Sequence, residues 1–303
     1  MYIVTGASGW MGRTTLEYLK NQLNVNLQSD VRCFSSSRKE LLLSDGEVVR
    51  SESLERLGAI DEEVEGIFHY AFLTRDFVNK FGLNQYVAIN NSILEKMAVA
   101  LTSLKYGWVV GVSSGAVFDP GTNNLATDIN LNPYGYLKLR EESLLVDLSN
   151  QAGANCVIGR LWASSGHLMP IDRKYAISDF IYQGLTSQLI EVKSDHKVWR
   201  RYMDAEDFIN VLHTLAMKGF SKVLDSTGDL VEIRSLASKI GLVTNARVKT
   251  LDNLPSSPPD LYYPEGDEMS ELITKYGLSL KSLERQVKET IQGHARQLKL
   301  TER

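Results

Sequence analysis

Thr5-Gly6-Ala7-Ser8-Gly9-Trp10-Met11-Gly12 follows the apolar run Met1-Tyr2-Ile3-Val4 and leads into the helical pattern of Arg13 to Gln22. Strand, glycine-rich turn and helix in that order give glycine spacing a mechanical meaning. Gly6 permits a tight turn, Gly9 lets backbone approach a pyrophosphate, and Gly12 lets helix pack close on strand. The anion then sits at the helix N-terminus, where free N–H groups and the helix dipole favour it. The spacing is Gly-x-x-Gly-x-x-Gly. Gly6, Ser8, Gly9, Trp10, Met11 and Gly12 form the candidate cradle for a dinucleotide.

Working outward, Asp30 to Phe34 reads as the second strand, and its end is where such folds separate NAD from NADP. Ser35-Ser36-Ser37-Arg38-Lys39 offers hydroxyls and cations and no carboxylate, with Arg13 as a further cation, so NADP is expected and NAD is the alternative. Glu47 to Arg50 reads as a third strand, Ser51 to Leu57 as a short helix, and Gly66 to Ala71 as a buried strand. Small Ala71 leaves room for a cofactor against the backbone. A helix near Gln85 to Leu104 follows, then a strand at Trp108 to Val112 ending in Ser113-Ser114-Gly115-Ala116-Val117-Phe118. A loop of Asp, Pro, Gly and Asn runs from Asp119 to Pro133, and Asn155 to Leu161 makes the next strand. The alternation predicts an α/β fold with a doubly wound parallel sheet.

Asn132-Pro133-Tyr134-Gly135-Tyr136-Leu137-Lys138 opens the helix that continues to about Gln151. Residues four apart share a helical face, so the Tyr134 phenol and Lys138 ammonium reach the same small molecule. A free phenol titrates near 10; a cation one turn away brings it closer to neutral pH. Ser114, at a strand end, is placed to hydrogen-bond a substrate oxygen beside Tyr134.

The 303 residues carry 43% hydrophobic and 23% charged side chains and a net charge of -4, which excludes a global basic field for nucleic acid. Cys33 and Cys156 stand far apart and read as reduced thiols of a cytoplasmic protein. The five histidines have no zinc-like spacing, so no metal is expected. No apolar run has the length of a bilayer span, and no signal peptide precedes the first strand.

The pattern changes after Trp162, which divides the chain into a dinucleotide-binding domain at 1–162 and a mainly substrate-binding domain at 163–303, with some segments returning to the first sheet. Phe180 to Leu185 reads as a helix. Val198 to Asp207 sets Arg200 and Arg201 among aromatics, and arginine matches phosphate bidentately. Val231 to Gly241 is a helix ending in glycine, Pro255-Ser256-Ser257-Pro258-Pro259 a loop, and Leu280, Leu283, Val287 and Ile291 an apolar stripe for core packing or a subunit contact.

These motifs together resemble the extended short-chain dehydrogenase/reductases, the NAD(P)-dependent epimerase/dehydratase group acting on nucleotide sugars, over nearly the whole chain. Thr5 to Gly12 is similar to the family's Thr-Gly-x-x-Gly-x-x-Gly, and His69-Tyr70-Ala71 to its His-x-Ala-Ala, with Phe72 departing from the second alanine. Ser114 before Val117-Phe118, and Tyr134 with Lys138, match the catalytic serine, tyrosine and lysine. The resemblance implies a Rossmann-type domain with a smaller C-terminal domain. It adds Ala71, Phe72, Leu73 and the structural Asn90 to the cofactor contacts, makes Tyr134 and Lys138 contacts too, and gives Arg200 the nucleotide diphosphate.

It further implies chemistry at C4 of a nucleotide-linked deoxysugar or sugar, a place in surface polysaccharide biosynthesis, and a homodimer built on two long helices. A 4-epimerase and a 4-ketoreductase stay open. Gly115-Ala116 stands where dehydratases of the family carry Asp-Glu, which disfavours dehydration. Ala163 replaces a substrate-holding asparagine, leaving Ser164, Ser165 or His167 to compensate. An NADPH-dependent reductase of a small non-nucleotide carbonyl compound and a non-catalytic NADP-binding regulator are the alternatives.

Overall fold

The computed structural model describes residues 1–119, 122, 124–172, 175–251 and 257–301. Pro255 and Ser256 of the proline-rich loop, and Pro120, Gly121 and Asn123 of the 119–133 loop, lie outside the described residues. In chain order, β1 (Tyr2–Thr5) leads to α1 (Trp10–Leu23), β2 (Val31–Ser35), β3 (Lys39–Leu42), β4 (Val48–Ser53) and β5 (Val64–His69). Helices α2 (Phe77–Phe81) and α3 (Leu83–Ser103) precede β6 (Tyr106–Ser114), α4 (Pro133–Ala152), β7 (Asn155–Leu161) and β8 (Ala163–Ser165). Then come α5 (Ala176–Thr186), β9 (Leu189–Glu191), β10 (Val198–Asp204), α6 (Ala205–Met217), β11 (Lys222–Asp225) and β12 (Asp229–Glu232). The described chain closes with α7 (Ile233–Thr244), β13 (Arg247–Lys249), β14 (Asp260–Tyr262), α8 (Glu268–Lys275) and α9 (Leu283–Thr301).

Two compact units result, Met1–Leu161 with Ile209–Leu224, and Trp162–Phe208 with Asp225–Arg303. The first holds a sheet ordered β11-β7-β6-β5-β1-β2-β4-β3. β1 pairs in parallel with β2 on one side and β5 on the other, so the chain reverses its direction of winding at β1. In open parallel sheets ligands bind outside the strand C-termini at that switch point. Thr5 and His69 face each other there. Ile3, Ile67, Val109 and Ile158 of the strands pack against Met97, Ala100 and Leu101 of α3 and Leu145 of α4, which fixes both helices on the sheet.

In the second unit, β10 lies between antiparallel β12 and parallel β14, and β8 also pairs with β10. A separate two-stranded sheet joins β9 to β13.

Several local expectations are corrected. Ser51 to Ser53 continue β4, because Cys33, Phe34 and Ser35 of β2 pair with them in parallel; the short helix is a 3₁₀ turn at Leu54–Ala59. Helix α7 runs through Gly241 and ends at left-handed Asn245, φ 56°. Gly241 serves close packing instead: a Cβ there would lie 2.9 Å from the Ala246 carbonyl oxygen. In α9 the buried side carries Gln286, Thr290 and His294 as well as Leu283 and Val287. Gln286 Oε1 accepts from Ser165 (2.7 Å) and Thr290 Oγ1 from the Gly166 amide (3.0 Å), which is why polar side chains are tolerated there.

Candidate active site

The glycine turn leaves β1 through Gly6 in the left-handed region, φ 64°. Its Gly9 amide donates to the Gly6 carbonyl at 2.9 Å. A Cβ on Gly12 would stand 2.4 Å from that same Gly6 oxygen, so only glycine lets α1 start so close to the turn. Gly9 is the N-cap of α1 and brings no side-chain hydrogen bond. Helix-start amides therefore lack a built-in cap, and the turn fits a dinucleotide pyrophosphate. Ser8 is exposed, while Trp10 and Met11 are half-buried.

Past β2, Ser36, Ser37 and Arg38 are exposed, but Ser35 is buried and its hydroxyl is shared with Ser51 at 2.7 Å. Arg13 donates to the Leu42 carbonyl at 2.5 Å, so it braces β3. Arg38 stands 3.5 Å from Glu52 of β4. The carboxylate lacking after β2 in sequence is thus supplied by a neighbouring strand, through the β3–β4 hairpin.

Asn90 is fully buried; its Oδ1 accepts from the Leu73 amide (2.8 Å) and its Nδ2 donates to the Tyr86 carbonyl (3.3 Å). It shapes the segment carrying Ala71, Phe72 and Leu73. Tyr86 ties down the same segment, donating to the Leu73 carbonyl at 2.9 Å.

Helix α4 opens with Asn132 as N-cap, whose Oδ1 accepts from the Gly135 amide at 3.0 Å, and Pro133 in the first turn. Asn132 Nδ2 also donates to the Ala116 carbonyl at 2.9 Å, two residues after Ser114. A Cβ on Gly135 would lie 2.1 Å from that oxygen. The helix start bearing Tyr134 is thus pinned to the turn bearing Ser114. Ser114 Oγ accepts from the Ala116 amide at 3.1 Å. The Tyr134 ring meets the Phe72 ring edge-on, 5.8 Å between centroids.

Lys138 is buried at 4% exposure. Its Nζ donates to the Val112 carbonyl (2.8 Å) and Glu141 Oε2 (2.6 Å), and lies 4.0 Å from the Phe72 ring centroid. An ammonium has three donors, of which two are spent here, and the Phe72 ring lies against the charge. Glu141 Oε1 lies 3.2 Å from His69 Nε2, within ion-pair range but off hydrogen-bond alignment. Burial alone would push the Glu141 carboxyl up; the Lys138 ammonium and the His69 ring more than offset it and hold it below the usual range. His69 Nδ1 meets Thr5 Oγ1 at 2.7 Å, and Thr5 Oγ1 also accepts from the Tyr70 and Ala71 amides (3.2 and 3.4 Å). With both hydroxyl lone pairs taken, the Thr5 proton points at Nδ1, which in the neutral ring leaves Nε2–H facing Glu141. A continuous polar chain therefore joins the end of β1 to Lys138.

In the second unit, Arg200 is paired with Asp260, Nη2 to Oδ2 at 2.7 Å and Nη1 to Oδ1 at 3.2 Å, and stacks 5.4 Å over the Tyr262 ring. Trp162 packs against Tyr262 at 4.8 Å between centroids. Ser164 donates to the Met203 carbonyl (2.9 Å) and Ser165 to Gln286 (2.7 Å), so the proton of each hydroxyl is committed within this unit. Among the described residues no cluster of three or more metal-ligating side chains occurs. The sequence reading missed Glu141, Glu52, Asp260 and the capping role of Asn132. Of these only Asn132 before Pro133 carries a local sign, an N-cap ahead of a first-turn proline.

A family model described as the NAD dependent epimerase/dehydratase family matches residues 2–224. UDP-glucuronic acid decarboxylase 6 of Arabidopsis thaliana is 23% identical over 281 residues, 84% of this chain and 78% of that protein. UDP-N-acetylglucosamine 4-epimerase from Methanobrevibacter ruminantium M1, solved with UDP-N-acetylmuramic acid, is similar with a TM-score of 0.76 at 19% identity, covering 98% of each chain. The Bordetella bronchiseptica enzyme WbmF, solved with NAD+ and UDP, reaches a TM-score of 0.77 at 20% identity, covering 99% of this chain and 94% of that one. The parallel sheet wound around the Gly6–Gly12 turn agrees with a match that spans the first 224 residues almost without remainder, and the chain belongs to the NAD dependent epimerase/dehydratase family.

Proposed function

We propose that this chain is an NAD(P)-dependent oxidoreductase or epimerase acting at C4 of a nucleotide-linked sugar or deoxysugar. The observation that carries the reading is the pinning of Tyr134, through Asn132, to the turn of Ser114, with Lys138 buried one helical turn on. A bound nicotinamide would supply hydride-transfer chemistry at the sugar carbon, reversibly in an epimerase and as net hydride donation in a ketoreductase. Tyr134 exchanges a proton with the C4 hydroxyl or ketone, and Ser114 hydrogen-bonds the same oxygen. Lys138 acts by charge, favouring the phenolate. Gly6, Gly9 and Gly12 seat the pyrophosphate, with Ala71, Phe72 and Leu73 alongside.

UDP sugars are the substrates of choice, since the relatives above were solved with UDP or a UDP sugar. Arg200 takes the diphosphate by exchanging Asp260 for phosphate oxygens. Gly115-Ala116 carries no acid or base for eliminating water, which favours epimerisation or ketone reduction over dehydration. Arg38 favours NADP, the expected cofactor, and Glu52 beside it favours NAD as the alternative. The setting is cytoplasmic sugar-nucleotide supply for surface polysaccharide, in a homodimer formed on α3 and α4.

The test is to denature freshly purified protein and identify the released nicotinamide nucleotide. A near-stoichiometric, tightly held dinucleotide indicates an epimerase that recycles it. Protein that arrives empty and takes up NADPH reversibly indicates a ketoreductase. Failure to bind either dinucleotide refutes the reading.

A further inference from the structure

We infer that Glu141 is a positioning residue that sets the acidity of the Tyr134 phenol by holding Lys138 in place and offsetting part of its charge. The inference rests on the reading of Tyr134 as the proton-exchanging group, and concerns how strongly Lys138 acts on it. Four observations carry it. Glu141 is buried at 2% exposure, and a carboxylate so placed needs a partner. Its partner is Lys138, at 2.6 Å and three residues away on α4. Its second oxygen faces His69, whose other nitrogen is fixed by Thr5 at the mouth of the glycine turn. Lys138 is also held by the Val112 carbonyl and the Phe72 ring, and Phe72 touches Tyr134. The ammonium is thus locked from β6, α4 and the segment after β5.

An unpaired ammonium one turn from Tyr134 would stabilise the phenolate strongly. A carboxylate on that ammonium cancels part of the field, and the phenol stays more basic. The charged and titratable groups facing the pair are few. His69 comes from β5 and Tyr86 from α3. Glu141 is the one uncancelled anion on Lys138 among the described residues.

The consequence is read without substrate, by carbon-13 NMR of tyrosine labelled at Cζ, titrated from about pH 6 to about pH 11. The Tyr134 resonance is the one lost in Tyr134→Phe. Glu141→Gln removes the offsetting charge, so the phenol pKa falls by about one unit, a tenfold gain in phenolate. Glu141→Asp keeps the charge and restores a value near that of the native protein. Glu141→Gln leaves a buried ammonium without its carboxylate and is liable to unfold. The double variant Lys138→Met/Glu141→Met removes both charges together. A rise under about half a unit is expected here, because the carboxylate offsets most of the lysine's effect; a lysine acting alone would give a rise above about one unit. An unchanged phenol in Glu141→Gln, or a large rise in the double variant, overturns the inference. Full turnover in Tyr134→Phe would instead refute the catalytic reading and leave these titrations untouched.

Discussion

Lys138 and Lys281 both hold their charge largely away from solvent, with side chains 5% and 10% exposed, and their surroundings differ in charge balance. Lys138 meets one carboxylate, a carbonyl and a ring. Lys281 meets three carboxylates, Asp204 at 2.9 Å, Glu289 at 3.1 Å and Glu206 at 3.4 Å, while its backbone amide donates to Asp207 at 2.6 Å. Burial works against the Lys281 charge, yet Asp204 and Glu206 more than offset it and hold the ammonium above the usual lysine range. Burial, with Asp204 and Glu206 nearby, pushes the Asp207 carboxyl up to about 6. Lys281 is over-compensated and serves as the knot tying the start of α6 to the segment before α9. Lys138 is matched one to one, so a small change around it alters the field felt by a neighbour. A balanced buried charge is tunable; an over-compensated one is structural.

Exchanging the two lysines for methionine breaks the comparison most sharply. Lys138→Met is expected to lower turnover by about 10²–10³-fold. Lys281→Met leaves the buried Asp204 carboxylate without its ammonium and costs roughly 3–5 kcal/mol of stability in urea denaturation, with turnover per folded molecule within about twofold of native. Equal losses in both assays would erase the distinction drawn here.

A smaller effect comes from Asp207→Asn. The Asp207 pKa in the folded protein lies above its unfolded value, so the stability it contributes is full below about pH 4 and is lost as pH rises through about 6. The substitution should therefore stabilise the protein at pH 7 by about 1–2 kcal/mol and flatten its melting temperature against pH between about 4 and 6. No gain at neutral pH would mean the acidic surplus around Lys281 is not felt by Asp207.

The least effect belongs to an exposed pair. The Arg38 side chain is 71% and that of Glu52 38% exposed, so solvent screens both. Arg38→Ala should weaken NADP relative to NAD by about fivefold, and Glu52→Gln should shift the ratio by a similar factor the other way. Calorimetric titration of each variant with both dinucleotides checks it, and a ratio unmoved by either change removes this pair from cofactor selection.

Much of the first unit is legible in the chain because its signals are local. The glycine spacing, the apolar strands and the Asn-Pro-Tyr helix start are each read within a dozen residues. What escapes is what the fold brings together from afar. Glu52 reaches Arg38 only because β3 folds back on β4. Glu141 reads as one more helix charge until α4 is turned with that position against β5. The second unit hides more, since short strands such as β8 and β13 pair across long separations and α9 buries glutamine, threonine and histidine where the pattern calls for apolar residues. Arg200 is legible from its chemistry, but nothing near it in sequence announces Asp260.

The proposed chemistry assigns the proton to Tyr134 and the dinucleotide to the glycine turn. Single-turnover nicotinamide absorbance, followed after mixing the dinucleotide-loaded protein with a panel of UDP hexoses and their 4-keto forms, separates the two roles. A signal change is expected with at least one sugar, slowed by about 10²–10⁴-fold in Tyr134→Phe while dinucleotide affinity stays within about twofold. A Tyr134→Phe protein that reacts as fast as the native one would contradict that assignment.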